Sequence, residues 1–198
     1  MTQKTISHIY ESRESYTSVY PWFWGLEKKG LNPRFITMDG EKSVIRAIQQ
    51  IWPETKIQRC LYHIQREGMR WLRTYPKTLA GRELRELLKT LGRIETWKER
   101  NTFITSYVSW LNKHEAFVRA LPHSEVAYKD LKKAMRLIWN GLPDMFHYLK
   151  DRNVPKMTNM LEGFYSRLKS DYRRHRGLTE KHKIRYLKWY CYFKNQEK

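Results

Sequence analysis

Residues 79–149 constrain this chain most. They contain no alternating or β-branched run that reads as a strand, yet they carry three apolar stripes at helical spacing. Leu84, Leu87, Leu88 and Leu91 make the first stripe, Phe103, Tyr107, Trp110 and Leu111 the second, and Leu131, Ala134, Met135 and Ile138 the third. Each stripe is one face of a helix that must be buried against another element. A block of this kind folds as helices packed on helices, and no sheet can run through it.

The flanks read differently. Residues 5–10, Thr-Ile-Ser-His-Ile-Tyr, alternate and are β-branched, which predicts a strand. A helix follows from near Ser15, with Val19, Phe23 and Leu26 along it, and stops at Gly30. Residues 34–38 predict a second strand. Val44, Ala47, Ile48 and Ile51 then mark a helix that Pro53 ends. Residues 56–61 predict a third strand, leading into a helix through His63 and Trp71. Strand alternating with helix implies an α/β layer with parallel strands. After the helical block, Pro155 closes a loop, a helix opens near Thr158, and a last helix covers about residues 180–193. The expected division is a partial α/β core over 1–75, an all-helical insertion over 76–155, and a returning core helix with a basic C-terminal helix over 156–198.

Two carboxylates stand in distinctive surroundings. Asp39 ends the apolar run Phe35-Ile36-Thr37-Met38-Asp39-Gly40, at the carboxyl end of a parallel strand, where open α/β sheets gather their ligands. Asp-Gly is also an ordinary turn signal. Glu162 lies near the start of a helix, in Thr158-Asn159-Met160-Leu161-Glu162-Gly163. With Asn159 as cap, Glu162 would fall where a capping box closes. It also shares a face with Ser166, Lys169 and Arg173, which reads equally as a salt-bridged solvent face. The stripe Leu161, Phe164, Leu168 and Tyr172 is expected to dock this helix.

Cys60 and His63 have half the spacing of a zinc site, and Cys191, His182 or His175 would have to complete it. Nothing in their spacing requires that, so the sequence argues against zinc and for a buried Cys beside a hydrogen-bonded His. Two cysteines in all fit a reducing compartment.

Charge narrows the partners. The chain has 39 basic and 20 acidic residues, a net charge of +19, and self-repulsion on that scale points to a polyanion, most often nucleic acid. Residues 156–198 hold twelve Lys or Arg against four acids. Arg167, Lys169, Arg173, Arg174 and Arg176 crowd the turns after Glu162 and are the candidate DNA contacts. Trp189, Tyr190 and Tyr192 read as core rather than as platforms for bases. No apolar run approaches the roughly 20 residues that span a bilayer. The polar start Met1-Thr2-Gln3-Lys4 does not open a signal peptide. The expectation is a cytoplasmic protein associated with the nucleoid through DNA.

Taken together, Thr37-Met38-Asp39-Gly40, Trp52-Pro53, Gln58-Arg59-Cys60-Leu61-Tyr62-His63-Ile64, Thr158-Asn159-Met160-Leu161-Glu162-Gly163 and Arg173-Arg174-His175-Arg176-Gly177-Leu178 resemble the catalytic domain of the Mutator-like superfamily of DDE transposases, including its bacterial insertion-sequence members. The resemblance implies an RNase H-like fold interrupted by a large helical insertion. It also implies DNA strand transfer through an Asp, Asp, Glu set holding two Mg2+ or Mn2+ ions, with double-stranded element ends and target DNA as partners. By position, Asp39 is the second carboxylate and Glu162 the third, both catalytic and metal-binding, with Cys60 and His63 in a motif near that site. The first carboxylate has no match, because neither Glu11 nor Glu14, the acids nearest the start of the chain, stands in the expected context. The reading is therefore a partial RNase H-like fold whose first two strands are missing, predominantly helical overall. It is a truncated or split transposase, an oligomer on DNA, inactive alone unless a second polypeptide supplies the rest. A non-catalytic basic DNA-binding protein derived from a transposase is the alternative.

Overall fold

The structure, a computed structural model, describes residues 4–9, 15–175 and 177–196. Arg176, Glu11, Glu14 and Tyr10 lie outside the described residues. The three stripes of the middle block become α4 (Leu79–Thr90), α5 (Trp97–Ala120) and α6 (Val126–Gly141). They close a core with α3 (Leu61–Leu72) in which Leu61, Ile64, Leu84, Leu88, Leu131 and Ile138 are buried. Each such side chain contributes about 1.5–3 kcal/mol on leaving water, so this core dominates the stability of the molecule. Its polar ends are paired. Trp110 Nε1 donates to the Ala80 carbonyl at 3.0 Å, and the Tyr107 hydroxyl to that of Met135 at 3.0 Å. Burial pushes the Tyr107 phenol above its ordinary pKa.

The α/β part is smaller. Helix α1 (Tyr16–Glu27) is capped by Ser15, whose side chain accepts from Ser18 N, and is followed by β1 (Phe35–Met38), α2 (Lys42–Ile51) and β2 (Lys56–Arg59). The two strands pair in parallel, from Phe35 opposite Lys56 to Met38 opposite Arg59, with α2 as the crossover. Val19, Val44, Ile48, Trp52 and Ile57 form a second core beneath them. Two of the three predicted strands are thus present, each shorter than its apolar run.

The strand expected over residues 5–10 is not formed. The described part, residues 4–9, joins no ladder, and the sheet has two strands among the described residues. A strand exists only through a neighbour's hydrogen bonds. Here Thr5 N instead donates to Asn195 Oδ1 at 2.8 Å, Asn195 Nδ2 donates back to the Thr5 carbonyl at 2.8 Å, and Trp22 Nε1 donates to Ser7 Oγ at 2.9 Å. Between this segment and β1 lies an open cavity of about 1540 Å3 whose lining includes Ile6, Trp22, Leu26, Phe35 and Thr37.

Two further helices complete the chain, α7 (Asn159–Arg174) and α8 (Glu180–Gln196). They meet through rings, with Phe164 and Tyr190 at 5.6 Å and Tyr172 and Tyr186 at 6.0 Å between centroids. Of the docking stripe expected on α7, only Leu168 is buried, and Leu161 is exposed. Phe164 and Leu168 instead line the same open cavity, which leaves that face half covered. No described helix is long and apolar enough to cross a membrane.

Close packing of α3 on α4 gives a paired prediction. A Cβ at Gly68 would stand 2.6 Å from Leu88 Cδ1, and Leu88 is fully buried, whereas a Cβ at Gly25 in α1 meets nothing within 4 Å. Gly68→Ala should therefore cost about 1–3 kcal/mol through overpacking. Gly25→Ala should gain about 0.5–1 kcal/mol from helix entropy. Urea denaturation midpoints of the two variants should move in opposite directions.

Candidate active site

The carboxyl ends of β1 and β2 meet at Cys60. Its N–H donates to the Met38 carbonyl at 2.7 Å, extending the ladder one step beyond β2, and its carbonyl accepts from Ile64 N at 3.2 Å, opening α3. Its thiol is fully buried and accepts from Thr158 N at 3.3 Å, with the Thr158 hydroxyl also 3.3 Å away. Thr158 is the residue from which α7 departs. One residue thus joins both strands, α3 and α7.

A strap over residues 151–158 reinforces that junction. Thr37 Oγ1 donates to the Pro155 carbonyl at 2.9 Å, Leu61 N donates to the Lys156 carbonyl at 3.0 Å, and Arg34 pairs with Asp151 at 3.6 Å. Lys156 Nζ reaches back to the Gly92 carbonyl at 3.0 Å and pairs with Glu95, tying the strap to the helical block.

Glu162 takes its place from this arrangement. The Thr158 hydroxyl donates to Glu162 Oε1 at 3.4 Å. The same oxygen lies 3.5 Å from His63 Nε2, and Oε2 lies 3.9 Å from Arg66 Nη1, both on α3. The capping box expected with Asn159 is not formed. The cap is Thr158, which moves Glu162 one position further into the helix, and its carboxylate turns across to α3. His63 is where the sequence placed it, near the strand ends, with Nδ1 buried and without a hydrogen-bond partner among the described residues.

Asp39 is exposed at the end of β1. Its Oδ1 accepts from Glu41 N at 3.2 Å, so the turn reading of Asp-Gly holds locally, and Glu41 in turn caps α2. Arg59 Nη2 donates to the Asp39 carbonyl at 3.0 Å. Burial lowers the pKa of this guanidinium, while the nearby carboxylates of Asp144 and Asp39 act to raise it. Asp144 and Arg66 were not legible as neighbours of these carboxylates. Asp144 arrives from the far end of the helical block, and no local pattern marks it.

The basic residues divide into two groups. At 3.6 residues per turn, Lys169 and Arg173 fall on the Glu162 face of α7, and Arg167 and Arg174 on the opposite flank of the buried Leu168. All four are exposed. Arg167 and Arg174 lie near Tyr190 and Tyr186 of α8, whose phenols are raised above their ordinary pKa by burial, with the two guanidinium charges acting against that rise. The cluster expected from sequence is therefore two basic edges, and one of them runs beside Glu162.

The fit of a divalent cation can be judged from these donors. Among the described residues, no three of His, Cys, Asp and Glu group in a way that could hold a metal ion. Glu162 already faces His63 and Arg66, and Arg59 stands beside Asp39. The described residues thus do not make a complete metal site.

Gly40 carries the turn that aims Asp39. Its φ is +98°, and a Cβ there would stand 2.1 Å from Arg59 Cζ. Gly40→Ala combines left-handed strain with expulsion of a half-buried guanidinium, at a cost of about 1–3 kcal/mol. Thermal melting should show that loss.

Residues 9–67 match the MULE transposase domain family. That span covers α1, β1, α2, β2 and the first turns of α3, and with them Asp39, Cys60 and His63. No curated protein and no solved structure matches the chain. The match supports kinship of this first third with Mutator-like transposases and does not reach Glu162.

Proposed function

We propose that this chain is a transposase-type DNA-binding protein of partial RNase H-like architecture, in which α7 grips the phosphate backbone beside Asp39 and Glu162. The observation that carries the reading is the shared face of Glu162, Lys169 and Arg173, set on the strand ends by the Cys60–Thr158 junction. A duplex phosphate held by the two cations would lie along the helix within reach of the carboxylates, which repel it unless a cation stands between them. The net charge of +19 and the family match support the same reading.

The phosphoryl transfer that the resemblance implies needs three carboxylates, and Asp39 and Glu162 are two. In this proposal a third comes from a second polypeptide, and this chain alone binds DNA without cutting it. The pairing of Glu162 with His63 and Arg66 supports this over autonomous catalysis, because side chains of this chain already face the carboxylate.

Duplex binding measured by fluorescence anisotropy across a salt series tests the proposal. Each phosphate contact adds about −0.9 to the slope of log affinity against log salt. Lys169→Ala and Arg173→Ala should each flatten that slope by about one unit, with binding unchanged in EDTA. Slopes indifferent to both substitutions would remove the α7 grip. Magnesium-dependent nicking by the chain alone, abolished by Asp39→Asn and Glu162→Gln, would show the site to be complete.

A further inference from the structure

The outer face of α8 is not used by anything described so far. Trp189, Tyr192 and Phe193 stand there 58%, 53% and 59% exposed, where the sequence pattern led us to expect Trp189 and Tyr192 in the core. The three rings touch one another. Trp189 stacks on Phe193 at 5.6 Å and 24°, and Tyr192 packs edge-on to both at 5.7 and 5.5 Å. They are therefore held as one preformed apolar surface rather than as three free side chains.

Cations frame that surface. Helical spacing puts Arg185 on the same face one turn before Trp189, with Lys181 and Lys188 along one edge, and all three are exposed. Cys191, the buried residue of α8, points the other way, toward Thr5. The helix thus has an inner face that holds it to the protein and an outer face combining aromatic planes with positive charge.

Water is a poor partner for three contiguous rings, and the cations decide what a better one is. A second copy of this chain would bring the same positive face against itself. A duplex offers phosphates but keeps its bases stacked. Unpaired nucleotides offer both an anionic backbone and free π faces, the pairing that single-strand-binding grooves exploit. We propose that the outer face of α8 binds single-stranded DNA, with bases stacking on Trp189, Tyr192 and Phe193 and phosphates running past Lys181, Arg185 and Lys188. The proposal extends the DNA-binding reading to a second surface. Its test scores unpaired bases separately from duplex, so either can fail alone.

Binding of a fluorescein-labelled oligothymidine and of a hairpin duplex to the whole chain is compared by anisotropy. Trp189→Ala should weaken oligothymidine binding by about 5- to 150-fold, the value of one stacked base, and leave the duplex unaffected. Trp189→Phe should restore most of the loss, because any ring offers a face. Arg185→Ala should flatten the oligothymidine salt slope by about 0.7 unit, and Trp189→Ala should leave that slope unchanged. Equal losses on both substrates, or no loss on oligothymidine, would overturn the proposal. So would sedimentation showing a dimer that Trp189→Ala converts to monomer, since the rings would then be covered by a second copy.

Discussion

The buried thiol of Cys60 is the contact on which the rest of the candidate site depends. The backbone of Cys60 finishes the two-stranded ladder and starts α3, and its sulfur receives the first residue of α7. Apolar burial could not place α7 by itself. With Leu168 alone buried, hydrophobic docking contributes on the order of 2–3 kcal/mol, against many times that for the α3–α6 core. The helix is consequently held at its start, by polar contacts and by the strap over residues 151–158. Glu162 sits one turn beyond that anchor, close enough to inherit its position.

Charge balance at the strand ends follows from the same geometry. Arg59, His63 and Arg66 reach the neighbourhood of Asp39 and Glu162 from β2 and α3, so each carboxylate has basic side chains beside it. Salt bridges this exposed are worth little to stability, and their consequence is where negative charge is presented. Beside it, Lys169 and Arg173 extend a basic edge along α7. The surface alternates sign over a few turns, a pattern that a salt-bridged solvent face shares, so the DNA grip proposed for α7 rests on the salt-slope test.

Much of this was legible in the sequence where the cause is local. Apolar spacing marked α2 and α4 to α6, and the end of a short strand placed Asp39. Approach across the chain was not legible. Nothing near Glu162 announces His63 or Arg66, because the strap that brings them together acts through backbone carbonyls of Pro155 and Lys156. The strand expected over residues 5–10 failed for a related reason: alternation describes a side chain pattern, and a ladder needs a partner. In α8 the apolar residues lie on both faces, so periodicity could not say that Leu187 and Cys191 turn inward while Trp189, Tyr192 and Phe193 turn out. The expected docking of Leu161 assumed a wall where the structure has an open cavity.

The most direct test of the Cys60 anchor is native-state hydrogen exchange in Cys60→Ala, with Cys191→Ala as a second buried-cysteine control. The Glu162 amide, which donates to the Thr158 carbonyl at 3.0 Å, should exchange at least about tenfold faster in Cys60→Ala. Amides of α4 and α6 should keep their protection, and Cys191→Ala should leave Glu162 unchanged. Unaltered protection at Glu162, or a loss shared equally by α4 and α6, would contradict the account.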